Sequence, residues 1–280
     1  MSRTIVMALV LSLAGSRAFA QQRPLVTEDP ESVGAGRVLV EGGFDAAHGV
    51  QYPVSGLEGN LLRLPTLGVS LGISSIAEIQ IDGGLYDRLS ISSREAAPLS
   101  NLLTVTGAQT HDVSDIVIGT KVRLLSEQGG RPSVGLRFAT KLPNASNESG
   151  LGLDTTDFFA SLLAAKSVQS LRVVANIGFG ILGDPTSGNR QNDVITYGAS
   201  VARAVTPRAE LVGELNGRAS TRSAGALPGT ESRSHLTAGA RFTSGSIRFD
   251  AGVLVGLTSV GPTIGATGGF TYVFDAFKLP

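Results

Sequence analysis

Beyond residue 20, apolar side chains return at every second position in runs of about ten residues, separated by polar stretches. Successive side chains of a strand point to opposite faces of its sheet, so this period marks strands with one apolar face. From Asp115 to Leu125, Ile116, Ile118, Val122 and Leu124 share one face while Gly119, Lys121 and Arg123 share the other. From Ser133 to Leu142, Val134, Leu136, Phe138 and Leu142 alternate with Gly135, Arg137, Ala139 and Lys141. From Leu171 to Ile181, Val173, Ala175, Ile177 and Phe179 alternate with Arg172, Asn176 and Gly178. About twelve such segments are predicted: 37–45, 61–73, 77–86, 115–125, 132–142, 157–167, 171–182, 194–203, 209–218, 234–244, 247–257 and 263–274.

The links between them alternate in length. Tight turns are expected around Ser74-Ser75, Glu127 to Gly130, Val168 to Ser170, Thr206-Pro207 and Ser244-Gly245. Residues 46–60, 87–114, 143–156, 183–193 and 219–233 read as long polar loops, and only the last outer link, Ser259 to Pro262, is short. An even number of strands with tight turns at one end and long loops at the other predicts an all-β fold. It is a closed antiparallel transmembrane β-barrel with short periplasmic turns and long extracellular loops. The strand length agrees, since crossing a bilayer at a tilt takes about 9–11 residues whereas soluble strands average about 5–6. In hydrocarbon every backbone N–H and C=O must pair within the sheet, so the sheet has to close.

The first twenty residues fall outside this pattern. Arg3, the apolar run Ile5 to Leu13 and the small-x-small site Ala18-Phe19-Ala20 resemble a secretory signal peptide cleaved after Ala20. The expected organisation is a signal peptide over 1–20, a periplasmic N-terminal segment over 21–36, the barrel over 37–274 and a C-terminal extension over 275–280.

Composition narrows the chemistry. Charged residues make up 16% of the chain, against about 25% in an average soluble domain, which argues against a cytosolic α/β enzyme. The 36 Gly follow no three-residue period, which excludes collagen, and the absence of Cys excludes disulfides and thiolate metal sites. The 23 basic and 23 acidic residues are scattered singly, so no basic patch marks a nucleic-acid partner.

Alternation places the charges on the inner face. The lumen-lining candidates are Glu78, Asp82, Lys121, Arg123, Arg137, Lys141, Glu210, Glu214, Arg241 and Arg248, with Arg37, Glu41, Asp45, Arg172, Arg218 and Asp250 on the same side. A cation facing lipid at mid-depth costs about 2–4 kcal/mol, which fixes that orientation. Both signs line the lumen, as in a narrow aqueous channel or a lattice of salt bridges. The register is expected to set Lys121 beside Arg137, with Glu78 and Asp82 one strand away, and Arg241 opposite Arg248, with Glu210 the nearest carboxylate. Each cluster is a candidate constriction.

Enzymatic motifs are weak. His48, His111 and His235 fall in or beside predicted loops without paired metal-ligand spacing. Ser234 and His235 suggest a lipolytic barrel, but neighbouring strand residues point to opposite faces and do not pair. No catalytic, cofactor or metal residue is assigned, and the chain is not read as an enzyme.

The last strand, Thr267-Gly268-Gly269-Phe270-Thr271-Tyr272-Val273-Phe274, resembles the signal read by the barrel-assembly machinery, carried by Gly269, Tyr272 and Phe274. With Phe242 and Phe249 these aromatics would form part of a periplasmic girdle. Two further stretches, Arg23-Pro24-Leu25-Val26-Thr27-Glu28-Asp29 and Asp112-Val113-Ser114-Asp115-Ile116-Val117-Ile118-Gly119-Thr120-Lys121, resemble the bacterial outer-membrane family named for the phenol meta-degradation pathway. So do Ala209 to Glu214 and Asp250 to Leu257. The resemblance implies an outer-membrane channel or transporter for aromatic or otherwise poorly polar solutes, and it carries over no catalytic residues. The expected partners are outer-membrane lipid, the assembly machinery and a small-molecule solute. The alternatives are a non-conducting structural or adhesive barrel and, third, the lipolytic enzyme.

Overall fold

The computed structural model describes residues 23–222 and 225–278. The expected signal peptide and its cleavage after Ala20 lie outside the described residues. The first strands are β1 (Arg37–Tyr52), β2 (Leu57–Gly72), β3 (Ala77–Gly84), β4 (Asp87–Arg94), β5 (Gln109–Asp112), β6 (Ile116–Leu125) and β7 (Ser133–Leu142). They are followed by β8 (Asp157–Val168), β9 (Leu171–Gly183), β10 (Gln191–Ala204), β11 (Ala209–Ser220), β12 (Arg233–Ser244), β13 (Ile247–Gly256) and β14 (Ile264–Asp275).

Every pairing is antiparallel, and β1 pairs with both β2 and β14, so the sheet closes without an edge. β3 and β4 lie end to end against β2, and β5 and β6 continue one another along β4 and β3. Counted as wall strands, the fourteen elements make a barrel of twelve. Its burial pattern is the inverse of a soluble protein's: Ile177 is 59% exposed on the outside, whereas Lys121 is 0% exposed inside. Phe138, Phe158, Leu211, Leu236 and Val253 continue the apolar outer face.

The tight turns fall close to where the alternation places them, the one expected at Ser244-Gly245 lying one residue later, but two of the long loops do not. Residues 46–60 are mostly strand, with only 53–56 turning between β1 and β2. The register of β1 on β2 shifts between Ala47 and Val50, around Gly49 with its φ of 67°, and this irregularity breaks the period of two. Likewise 87–114 is not one loop, because β4 and β5 extend the wall beyond an interruption at Leu85 and Tyr86. These extensions enclose an apolar cluster of Val50, Leu57, Leu61 and Leu89, with Tyr52, Ile91, Leu103 and Leu151 packed against it. The end of the barrel bearing the longer loops is thereby roofed. The 143–156 loop is drawn onto it by Asp115, whose carboxylate accepts the Asn144 and Ala145 amides at 2.9 Å each.

At the other end, β14 runs one residue further than expected, to Asp275, opposite Arg37 of β1. The amides of Ala276 and Phe277 both donate to the Gly36 carbonyl, at 3.0 and 3.1 Å. Residues 23–36, the described part of the segment expected over 21–36, run inside the turn-side half of the barrel.

Candidate functional site

Residues 23–36 form no strand, so their backbone groups must find partners on the wall. Pro24 and Pro30 have no N–H to satisfy and favour an extended path. Glu214 Oε2 accepts the amides of Val26 and Thr27, at 2.8 and 2.5 Å. Asn176 closes a reciprocal pair with Glu28, accepting its amide at 2.7 Å and donating to its carbonyl at 2.8 Å. The Val33 amide donates to Glu78 at 2.6 Å.

The acidic side chains of the segment meet the basic ones of the wall. Lys121 Nζ lies 3.3 Å from Glu28 and 3.0 Å from Glu78, and Arg137 Nε lies 2.9 Å from the other oxygen of Glu28. Arg172 holds Asp29 through two parallel bonds of 2.8 Å, the bidentate geometry that makes a guanidinium–carboxylate pair strong. Arg123 pairs with Glu31. At the start of the segment Arg23 donates to Thr66, Thr267 and the Gly268 carbonyl, and lies 3.5 Å from Asp250. Its own carbonyl accepts from Arg241 Nε at 2.8 Å.

Glycine makes room for this plug. A Cβ on Gly269 would stand 2.7 Å from Arg23 Nε, which gives the residue a packing reason apart from any assembly signal. On β10 the three atoms nearest to a Cβ at Gly198 would all belong to Thr27, with its Oγ1 at 2.8 Å. Gly198→Leu should therefore press on Thr27 first and dislodge the segment. The expected result is a folded barrel whose N-terminal segment is cut by added protease many times faster than in the unmodified protein. Equal cleavage rates would show that the segment is not held at this point.

The sequence candidates divide between two levels of the lumen. Glu78, Lys121, Arg123, Arg137, Glu214, Arg241 and Arg248 all contact the plug, while Asp82 and Lys141 line a separate cavity nearer the loops. Lys121 faces Arg137 across the β6–β7 ladder, and the plug's Glu28 bridges the two cations. Arg241, however, opposes Asp250 and not Arg248, because the turn uses both Gly245 and Ser246 and sets Ser244 against Ile247. Glu210 is 3.8 Å from Arg241. Tyr272 and Phe274 are on the outer face with ring centroids 5.4 Å apart, among Phe242, Phe249 and Phe270. Sequence reasoning overlooked the plug, although the acids Glu28, Asp29 and Glu31 between Pro24 and the first strand were a local hint.

The loop-side cavity has a volume of ≈ 440 Å³. Its floor and walls carry Asp45, Arg63, Asp82, Lys141, Arg218 and Arg233, and its roof carries Val54, Leu151 and Leu153. Lys141 is shared between Asp115 at 2.9 Å and Asp157 at 3.2 Å, and Arg63 lies 3.1 Å from Asp87. At the opposite rim, in the turn before β7, partial burial opposes the charge of Glu127. The Ser167 amide, Lys166 and Arg172 outweigh that effect, so its carboxyl sits below the usual range. This contribution to stability is present at neutral pH and is lost as the pH falls through the depressed value.

His48 and His111, in the loops expected over 46–60 and 87–114, lie in β1 and β5, and His235 lies in β12, in the strand expected there. Among the described residues no group of three His, Cys, Asp or Glu side chains could hold a metal ion. Ser234 Oγ accepts from the Tyr197 hydroxyl at 3.1 Å, and its strand neighbour His235 points to the opposite face.

No family model and no curated protein matches the sequence. Among solved structures, the chain is similar to the COG4313 outer membrane channel from Pseudomonas putida F1. The identity is 14%, covering 88% of this chain and 98% of that one, with a TM-score of 0.63. The NanC porin is similar at 10% identity over 86% of this chain and 100% of that chain, TM-score 0.52. The translocator domain of the autotransporter NalP from Neisseria meningitidis follows at 13% identity over 86% and 89%, TM-score 0.51. At these identities the likeness is one of fold: a closed barrel of the outer-membrane type.

Proposed function

We propose that the protein is a bacterial outer-membrane channel for the passive passage of small solutes. The resemblance to the phenol meta-degradation family extends the proposal to aromatic or otherwise poorly polar compounds. The observation that carries it is a closed wall, apolar outside, around a charged cavity, with a non-covalently held segment between that cavity and the turn-side mouth. Similarity in fold to a protein described as an outer membrane channel and to a porin supports the same reading. The filled turn-side half supports the alternative of a non-conducting structural barrel. Single-channel recording in a planar bilayer tests both, since the channel reading requires conductance steps from the purified protein and the structural reading requires silence. Liposome swelling with a graded set of solutes then reads the size limit. In the channel reading the lumen candidates Glu78 to Arg248 line the path, and Gly269, Tyr272 and Phe274 address the chain to the assembly machinery.

The orientation follows from the assembly of even-stranded barrels, whose two ends face the periplasm. Glu148→Cys, in the 143–156 loop, should react on intact cells with a membrane-impermeant thiol reagent, and Gln128→Cys, in the turn before β7, should not. Both sites are exposed, so accessibility alone does not separate them. The reverse labelling pattern would invert the topology.

A further inference from the structure

We propose that the loop-side cavity binds a small amphipathic monocarboxylate, its carboxylate held between Arg218 and Arg233 and its apolar body against Val54, Leu151 and Leu153. The proposal names the solute class of the channel reading and rests on it.

Arg218 and Arg233 are direct partners in the β11–β12 register, and both line the cavity. Like charges directly opposite one another on a sheet repel, so such a pair calls for an anion. The wall supplies a poor one. Arg218 spends its bonds on two neutral acceptors, the carbonyls of Glu231 and Gly229, each at 2.9 Å. The carboxylate closest to Arg233 is that of Glu231 at 4.0 Å, and its other oxygen already accepts the Gly229 amide at 2.8 Å. Arg233 Nε is buried without a hydrogen-bond partner.

The remaining acids around the cavity are committed elsewhere or stand off. Asp157 is taken by Lys141 and the Gly183 amide, Asp115 by Lys141 and two loop amides, and Asp87 by Arg63 and Ser114. Asp45 stands opposite Arg63 in the register, and Asp82 is 4.0 Å from Arg137. The two guanidiniums of β11 and β12 are thus the underused charge in the chamber.

The apolar half of the site is supplied by the roof. A Cβ on Gly229, whose carbonyl accepts from Arg218, would lie 3.0 Å from Val54 Cγ2 and 3.2 Å from Leu153 Cδ1, so the charged pair and the apolar side chains are adjacent. A volume of ≈ 440 Å³ falls within the roughly 300–1,000 Å³ of small-molecule pockets. A forked guanidinium pair suits a planar carboxylate, and a ligand with no charged head would leave it unanswered.

Titration calorimetry of the purified full-length barrel with phenylacetate and its neutral isostere phenylacetamide tests the site. Phenylacetate should bind saturably and the amide at least tenfold more weakly. The double variant Arg218→Gln, Arg233→Gln should lose at least tenfold in affinity for the acid, while Arg222→Gln, at an exposed position beyond the end of β11, should match the unmodified protein. Heat-modifiable gel migration checks that each variant is folded, and the acid-against-amide comparison needs no variant at all. Equal binding of acid and amide, no binding of either, or undiminished binding by the double variant would overturn the proposal. Binding is read without conductance. A conducting barrel that ignores the acid removes the site and leaves the channel, and a silent barrel that binds it removes the channel and leaves the site.

Discussion

Deleting residues 23–33 should raise the single-channel conductance several-fold and shift its preference toward anions. The segment crosses the turn-side half of the lumen and contacts β6, β7, β9 and β11 to β13, so its removal opens the part of the barrel that side chains now fill. The selectivity shift follows from charge. The deleted residues carry Arg23 against Glu28, Asp29 and Glu31, a net of 1 − 3 = −2. Their loss takes one carboxylate partner each from Lys121, Arg123, Arg137 and Arg172, while Glu78 stays with Lys121, Asp82 near Arg137 and Glu127 with Arg172. In a water-filled pore such rings of fixed cations attract anions, and the effect weakens as salt screens them. Recording in a planar bilayer under a salt gradient gives both quantities. An unchanged conductance with an intact barrel would mean that the cavity roof, and not the plug, limits passage.

Lys121→Met should be the most destabilising single substitution on the inner face, by about 3–5 kcal/mol, the range found when one partner of a buried ion pair is removed. Lys121 and Glu78 have side chains 0% exposed, and Glu28 adds a second carboxylate at 3.3 Å. Without the ammonium the buried Glu78 loses its partner at 3.0 Å and is left beside the carboxylate of Glu28. Methionine keeps most of the volume, so the loss reports charge and not packing. Urea unfolding in lipid vesicles measures it, and adding Glu78→Gln should restore a good part of the stability by removing one of the stranded charges. A double variant as unstable as the single one would place the cost in packing instead.

The wall was legible because its signals are local. Period-two alternation located every wall strand, and the inward position of Lys121 opposite Arg137 follows from counting residues through a turn. Where the count failed, an extra residue was the cause. Taking Ser244-Gly245 as the turn put Arg241 opposite Arg248, and including Ser246 moves its partner to Asp250. The extensions of β1 and β2 were read as loops because the irregularity between Ala47 and Val50 interrupts the alternation, and β4 because the wall is interrupted at Leu85 and Tyr86. The plug left no comparable trace. An extended segment without a strand partner has no period, and Pro24-Leu25-Val26 followed by Glu28 and Asp29 reads like any polar leader. What fixes it inside are cations supplied by β6, β7 and β9, which only the closed barrel brings together.

The segment that is synthesised ahead of the wall finds its last partners at the end of the chain. Arg23 bonds to Thr267 across 244 residues, and Arg241 reaches back to the Arg23 carbonyl across 218. Contacts of such separation form late and slowly, after the cost of closing the intervening chain has been met. A wall with one hairpin out of register would present Arg172, Lys121 or Glu214 on the wrong face, and the segment would have nowhere to dock. Docking of residues 23–36 therefore comes after the register of the whole wall is set.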